Sequence, residues 1–202
     1  MRGRVAGLLL AAMVVATTLS ACGAAALPAA RSSSATRAYA IGEWVGSYGS
    51  LADLSRQSTM IVRGTVSSAP PQVVPAAMPG SEDLVDLATV VTFRVTQTLG
   101  GDLRSGTELK IHQSGSPDAP LFDPEESAWL VGGREYVLYL KPFFFVPGRS
   151  TGRYVVTGGL GAFAPSGDAL TRTTARDTVP RTTDLQAVTA SAGVLGTRPA
   201  AP

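Results

Sequence analysis

The chain has 202 residues, 45% of them hydrophobic and 16% charged, which suits one domain with irregular ends. One cysteine and one histidine exclude an internal disulfide and a cysteine-based zinc site. The formal charge of +2 comes from 17 basic and 15 acidic residues. Two of those basic residues, Arg2 and Arg4, lie in a leader-like stretch, so the remaining side chains balance and nucleic acid is not an expected partner.

Met1 to Ala21 reads as a secretory signal peptide. Arg2 and Arg4 form a positive start, and Val5 to Ala16 is a continuous apolar run. That run is shorter than the roughly 20 residues needed to span a bilayer and fits the core of a cleavable signal. The run ends in Leu19-Ser20-Ala21-Cys22. This order resembles the lipobox of bacterial lipoproteins. The resemblance implies that the Cys22 thiol is diacylated and that cleavage makes Cys22 the new N-terminus. Two acyl chains hold a protein stably on a membrane, so Cys22 is the expected lipid-attachment site and the membrane the expected first partner. The expected location is the extracytoplasmic face of the cell membrane.

Residues 22–50 form the lipidated tether. Ala24 to Thr36 carries too little bulk for a core, whereas Trp44, Val45 and Tyr48 have the bulk to dock on the domain. The spacing of Leu51, Leu54 and Ser55 predicts one or two helical turns over Ser50 to Gln57. Thr59 to Val66 is a predicted strand, rich in β-branched residues, with Gly64 marking a bulge or bend. Ala69 to Asp86 holds four prolines and reads as a long irregular loop whose ends return to one sheet as a hairpin.

Thr89 to Leu99 alternates Val91, Phe93, Val95 and Leu99 with polar residues, the pattern of a strand wetted on one side. After the Gly100-Gly101-Asp102 turn, Leu109 and Ile111 give the inward face of a third strand, with Glu108, Lys110 and His112 outward. Ser114 to Phe122 reads as loop. Asp123-Pro124-Glu125-Glu126 is a helix start, with a capping aspartate, proline at the first helical position and a glutamate three residues after the cap. Gly132-Gly133 ends that helix. Glu135 to Lys141 is apolar on both faces and should be central and buried, with Pro142 as its stop. Tyr154 to Thr157 and Leu160 to Ala164 suggest a closing hairpin about Gly158-Gly159. Residues 165–202 read as a mostly disordered tail, with one weak helix available over Leu185 to Val194.

The order strand, strand, strand, short helix, strand, strand is that of an OB-fold. The expected fold is therefore mainly β: a small five-stranded OB-like barrel over 51–164, with one short helix between strands 3 and 4. Three stretches also carry a resemblance: Val62 to Val66, Thr92 to Asp102, and Gly133 to Leu140. They are similar to bacterial exported domains of the netrin-like, tissue-inhibitor-of-metalloproteinase-like OB-fold group, over about residues 52 to 164. The animal inhibitors of that group use disulfides and a free N-terminal cysteine, and this chain offers neither. The likeness therefore carries over no inhibitory residue.

Site chemistry is sparse. His112 has no acid or nucleophile at motif spacing and reads as a solvated strand histidine. Asp118, Asp123, Glu125 and Glu126 are the one acidic cluster, without calcium-loop spacing, and capping accounts for two of them. Arg63, Arg94, Lys110 and His112 could line one outer sheet face. The neighbouring strand positions carry threonine, where single-stranded nucleic acid would need aromatics. Phe143-Phe144-Phe145 is the clearest surface candidate, since alternation leaves at least one ring to find a partner. The resulting expectation is a non-enzymatic, membrane-anchored interaction module of the cell envelope. It uses no cofactor or metal and binds a protein or other envelope component, with the triple-phenylalanine stretch and the proline-rich 69–86 loop as first candidate surfaces. The alternative is a small-ligand or glycan-binding envelope lipoprotein that uses the barrel face.

Overall fold

The computed structural model describes residues 48–77, 85–120, 127–146, 148–175 and 179–197. Cys22, Trp44, Val45 and the Asp123 to Glu126 helix start lie outside the described residues.

Helix α1 (Leu51–Gln57) forms within the turns expected over Ser50 to Gln57, with Ser50 as its cap. The Ser50 hydroxyl accepts from the Asp53 amide at 3.2 Å. The Asp53 carboxylate in turn accepts from the Gly49 amide at 3.1 Å and from the Ser50 hydroxyl at 2.8 Å. Together these satisfy amide groups that a helix start leaves open.

Strand β1 (Met60–Val66) follows, then β2 (Gln72–Ala77), β3 (Val85–Gly100) and β4 (Glu108–Ser116). Strand β2 was not expected, because its stretch reads as proline-rich loop. It pairs antiparallel with the first part of β3, Gln72 opposite Val90 and Pro75 opposite Leu87. Proline is tolerated there because, among the described residues, β2 pairs with β3 alone and is an edge strand. A two-residue strand, β5 (Ala119–Pro120), folds back on the end of β4.

The predicted helix before Gly132 is absent over 127–131, the part of it that is described. That segment is irregular, and its amides are bonded elsewhere. Ala128 N–H donates to the Gly159 carbonyl at 2.8 Å. Leu130 N–H donates to Gln113 Oε1 at 2.5 Å and Val131 N–H to the Tyr136 hydroxyl at 3.1 Å. With these tertiary acceptors taken, no helical ladder forms.

Strand β6 (Glu135–Val146) runs through Pro142 instead of stopping there. Its pairing with β1 ends at Leu140, so beyond that point it is bonded on one side only, and the register shifts between Pro142 and Phe144. Strand β7 (Arg149–Val156) returns beside it. A 3-10 turn over Thr157–Gly159 then leads to β8 (Ala162–Ser166). The expected hairpin about Gly158-Gly159 does not form, because β7 and β8 each pair with β6, at Leu140 to Val146 and at Val137 to Leu138, and not with each other.

Five strands close a ring. Strand β1 pairs with β3, β3 with β4, β4 with β7, β7 with β6, and β6 with β1. All pairings are antiparallel except β4–β7, which is parallel and rests on one residue pair, Ile111 with Tyr154. Alternate residues of the ring fill one core: Met60, Val62 and Val66 of β1, Val91, Phe93 and Val95 of β3, Leu109 and Ile111 of β4. Tyr136, Leu138 and Leu140 of β6 complete it.

The other face of β1 and β6 meets a second core. Ile61, Val137 and Tyr139 pack with Leu54 of α1, Phe163 of β8 and residues of the C-terminal stretch. That stretch, expected as mostly disordered tail, contains β9 (Ala169–Arg172), β10 (Thr182–Thr183) and α2 (Leu185–Ser191). Its scattered apolar residues are what the composition underweights: Leu170, Val179 and Val188 are all buried. Arg172, also buried, donates to the carbonyls of Thr174 and Val179 and so pins the connection between β9 and β10. The Tyr139 hydroxyl lies 3.0 Å from Ser191 Oγ, which accepts from Ser55 Oγ at 2.9 Å. These bonds tie β6, α2 and α1 together. Tyr48 docks here as well, buried over Gly158 and donating to Gln57 Oε1 at 3.0 Å.

Gly64 is where the backbones come closest. The β1–β3 register shifts between Arg63 and Gly64, and a Cβ at Gly64 would collide with the Arg94 carbonyl and the Phe93 ring. Gly64→Ala should therefore destabilise the domain by about 1–3 kcal/mol, the usual cost of overpacking, read as a lower urea midpoint with unchanged slope.

Candidate functional site

Segment 127–131 lies against the β3–β4 side of the ring, fixed by the amide bonds to Gln113, Tyr136 and Gly159. It leaves Trp129 half-buried between two concavities, both of which it lines. The larger is a groove of about 360 Å³. Its walls are the Ser67 to Gln72 segment on one side and Trp129 to Gly132 on the other, and β3 and β4 supply Thr92, Lys110 and Gln113. The smaller, about 50 Å³, adjoins His112, Ser127 and Lys141.

Gln113 is shared by both. It occupies the inward parity of β4, after Leu109 and Ile111, and is buried at 6% exposure. The Leu130 N–H requires an acceptor, so Oε1 must face it, and the amide nitrogen is turned the other way. That nitrogen is buried and makes no hydrogen bond with the protein among the described residues.

The predicted surface residues separate. Arg94, Lys110 and His112 share the outward parity of the β3–β4 ladder, where Arg94 faces Glu108, Thr92 faces Lys110 and Val90 faces His112. Lys110 is exposed, donates to Thr92 Oγ1 at 2.7 Å and enters the groove. Arg94 is exposed but belongs to neither lining among the described residues. Arg63 is on the β1–β6 ladder and is bonded to Glu135 at 2.7 Å.

His112 is not solvated. It is 6% exposed and stacked on Phe143, with ring centroids 4.0 Å apart and planes 21° apart. Alternation read this position correctly as outward, but β6 continues past Pro142 and covers it with Phe143. The two neighbouring rings of the triple-phenylalanine run therefore differ: Phe143 is buried and Phe144 is 43% exposed. Phe145 is in β6, and its side chain lies outside the described residues.

Trp129, Gln113 and Lys141 were not singled out from the sequence. A signal for Gln113 existed, since an amide at an inward position breaks the Leu109, Ile111 pattern. Trp129 was hidden inside the predicted helix. Among the described residues no three His, Cys, Asp or Glu side chains gather as a metal site would require. Asp118 is exposed at the turn before β5, and Asp123, Glu125 and Glu126 lie outside the described residues.

Burial lowers the His112 pKa to about 4, and the positive charge of Arg153 adds to the shift. The imidazole is thus neutral near pH 7. Burial also raises the Tyr139 pKa, opposed by the Ser191 and Ser55 hydroxyls, so its phenol stays protonated and holds the α1–β6–α2 link. For His112 the unfolded chain binds the proton first as pH falls. Stability should therefore be full above about pH 6.5, fall between 6.5 and about 4, and level off below. Urea midpoints of the wild type and His112→Leu across that range should differ in slope, with the variant flatter.

In comparisons with known proteins, no family model, no curated protein and no solved structure matches this chain.

Proposed function

We propose that the chain is a lipid-anchored, non-enzymatic binding module of the bacterial cell envelope. Its five-stranded ring is read as a small OB-like barrel, tethered to the extracytoplasmic face of the membrane through acylated Cys22. Counting only the ring strands, each pairs in the order first, second, third, fifth, fourth and back to first, which supports the OB-like reading. The stretch between third and fourth differs from that reading, since its described part, 127–131, is an irregular plug. Ala128 and Leu130 of this plug reach the inner core.

The groove beside Trp129 is the observation that carries the binding reading. It lies on the second and third ring strands and the connection between the first and second, the region where OB-folds take their ligands. The groove joins a half-buried indole to a lysine, a threonine and a buried amide. This mix is suited to holding a ligand, and no nucleophile–base pair accompanies it among the groove residues. A second surface, the exposed Phe144 on the β6–β7 arm, supports contact with a protein partner at a different place.

Two experiments test this. Cys22→Ser should abolish incorporation of a labelled palmitate analogue and move the protein from the membrane to the soluble fraction. Retention of both label and membrane fractionation would overturn the anchor. A photo-crosslinking residue at the exposed Val131, beside the groove, should capture envelope material in intact source cells, and Trp129→Ala should reduce that capture severalfold. Capture only from position 144 would place the interaction on the arm. Capture from neither position would overturn the binding-module reading.

A further inference from the structure

We infer that the Trp129 groove takes an acidic saccharide, with a pyranose ring on the indole, a carboxylate at Lys110 and a ring or hydroxyl oxygen accepting from the Gln113 amide. This rests on the reading of the chain as a binding module and names the class of ligand.

Three observations carry it. The first is charge. Lys110 is the one charged residue of the groove lining among the described residues, and Lys141 is the one full charge beside the adjoining cavity. Lys110 is held in place by its 2.7 Å bond to Thr92 Oγ1, which leaves further ammonium protons to donate. A ligand with a carboxylate complements such a site, and a cationic one opposes it.

The second is the Gln113 amide. Its oxygen is committed to Leu130 N–H, and its buried nitrogen has donors without a protein acceptor among the described residues. Buried donors are normally matched; this nitrogen has almost no accessible surface in the free protein, so an oxygen acceptor from outside the fold reaches it once the amide turns toward the groove.

The third distinguishes a saccharide from a peptide. A peptide strand joins a sheet through free backbone groups at an edge. Along the floor of the groove, most of those groups are already taken. Strand β3 is paired with β2 and β4 from Ala88 to Val90. At Thr92 it is paired with β4, and its carbonyl accepts from Ser67 N–H at 2.8 Å. On the facing wall Pro70 and Pro71 have no N–H to give. Recognition falls mainly to side chains: an indole face, a threonine hydroxyl, a lysine and an amide. A pyranose, with an apolar C–H face and a rim of oxygens, matches that set.

The test is calorimetric titration of the full lipid-anchored protein in detergent micelles. The probes are a galacturonic acid trimer, its fully methyl-esterified form and a triglutamate peptide. The acid trimer should bind, and the ester should bind at least about tenfold more weakly, as should the Lys110→Met variant, because each removes one charge-assisted hydrogen bond. Lys110 is exposed, so that variant should keep its melting temperature. Trp129→Ala should abolish the heat of binding. Equal binding of acid and ester, or of wild type and Lys110→Met, would overturn the assignment while leaving a saccharide-binding module standing. Tighter binding of triglutamate would replace the saccharide with an acidic peptide. No binding of any probe would overturn the inference, and the Val131 crosslinking result then decides the broader reading separately.

Discussion

The double burial of β6 is the constraint on which the rest of the structure depends. Tyr136, Leu138 and Leu140 point into the ring, and Val137 and Tyr139 point into the second core. The strand is hydrogen-bonded to β1 on one side and to β7 and β8 on the other. A one-residue slip would exchange every side chain between the two cores, and the cores differ in shape and partners. The register of β6 therefore fixes the closure of the ring, the docking of α1 and α2, and the seat of Tyr48.

The groove is a product of backbone bookkeeping. Residues 127–131 cross a region where three outside acceptors are on offer: a glycine carbonyl, a glutamine side chain and a tyrosine hydroxyl. Each captures an amide that a helix would have used internally. The plug is thus irregular yet fixed, and it holds Trp129 between two cavities. Gln113 is central to this because it anchors the plug with one end of its amide and borders both cavities.

Much of the ring was legible in the sequence. Alternation over Thr89 to Leu99 and at Leu109 and Ile111 placed their inward faces, and the two-sided apolar run of β6 announced a central strand. Gly64 was readable as a bulge because a glycine in a β-branched run has few other uses. Of the C-terminal additions only the helix within Leu185 to Val194 was legible. Leu170, Val179 and Val188 are isolated among threonine and arginine, and each becomes core only because β1 and β6 present a second apolar face from far away in sequence. The fate of His112 was equally non-local. Its outward parity was readable from β4, but its cover comes from a strand that continues past a proline. The helix start at Asp123 misled over 127–131 for the same kind of reason, since local capping preferences lose to tertiary acceptors.

The ring is fastened unevenly. Four of its seams are antiparallel ladders several residues long, and the fifth, β4 to β7, is a single parallel pair at Ile111 and Tyr154. Few backbone bonds protect that seam, so it belongs to the low-free-energy end of local opening motions. The molecule is thus mechanically closer to a curled sheet with a clasp than to a uniform hoop. The clasp lies beside the His112–Phe143 stack, so the amide protons of that neighbourhood exchange with solvent ahead of those in β1 and the first half of β6.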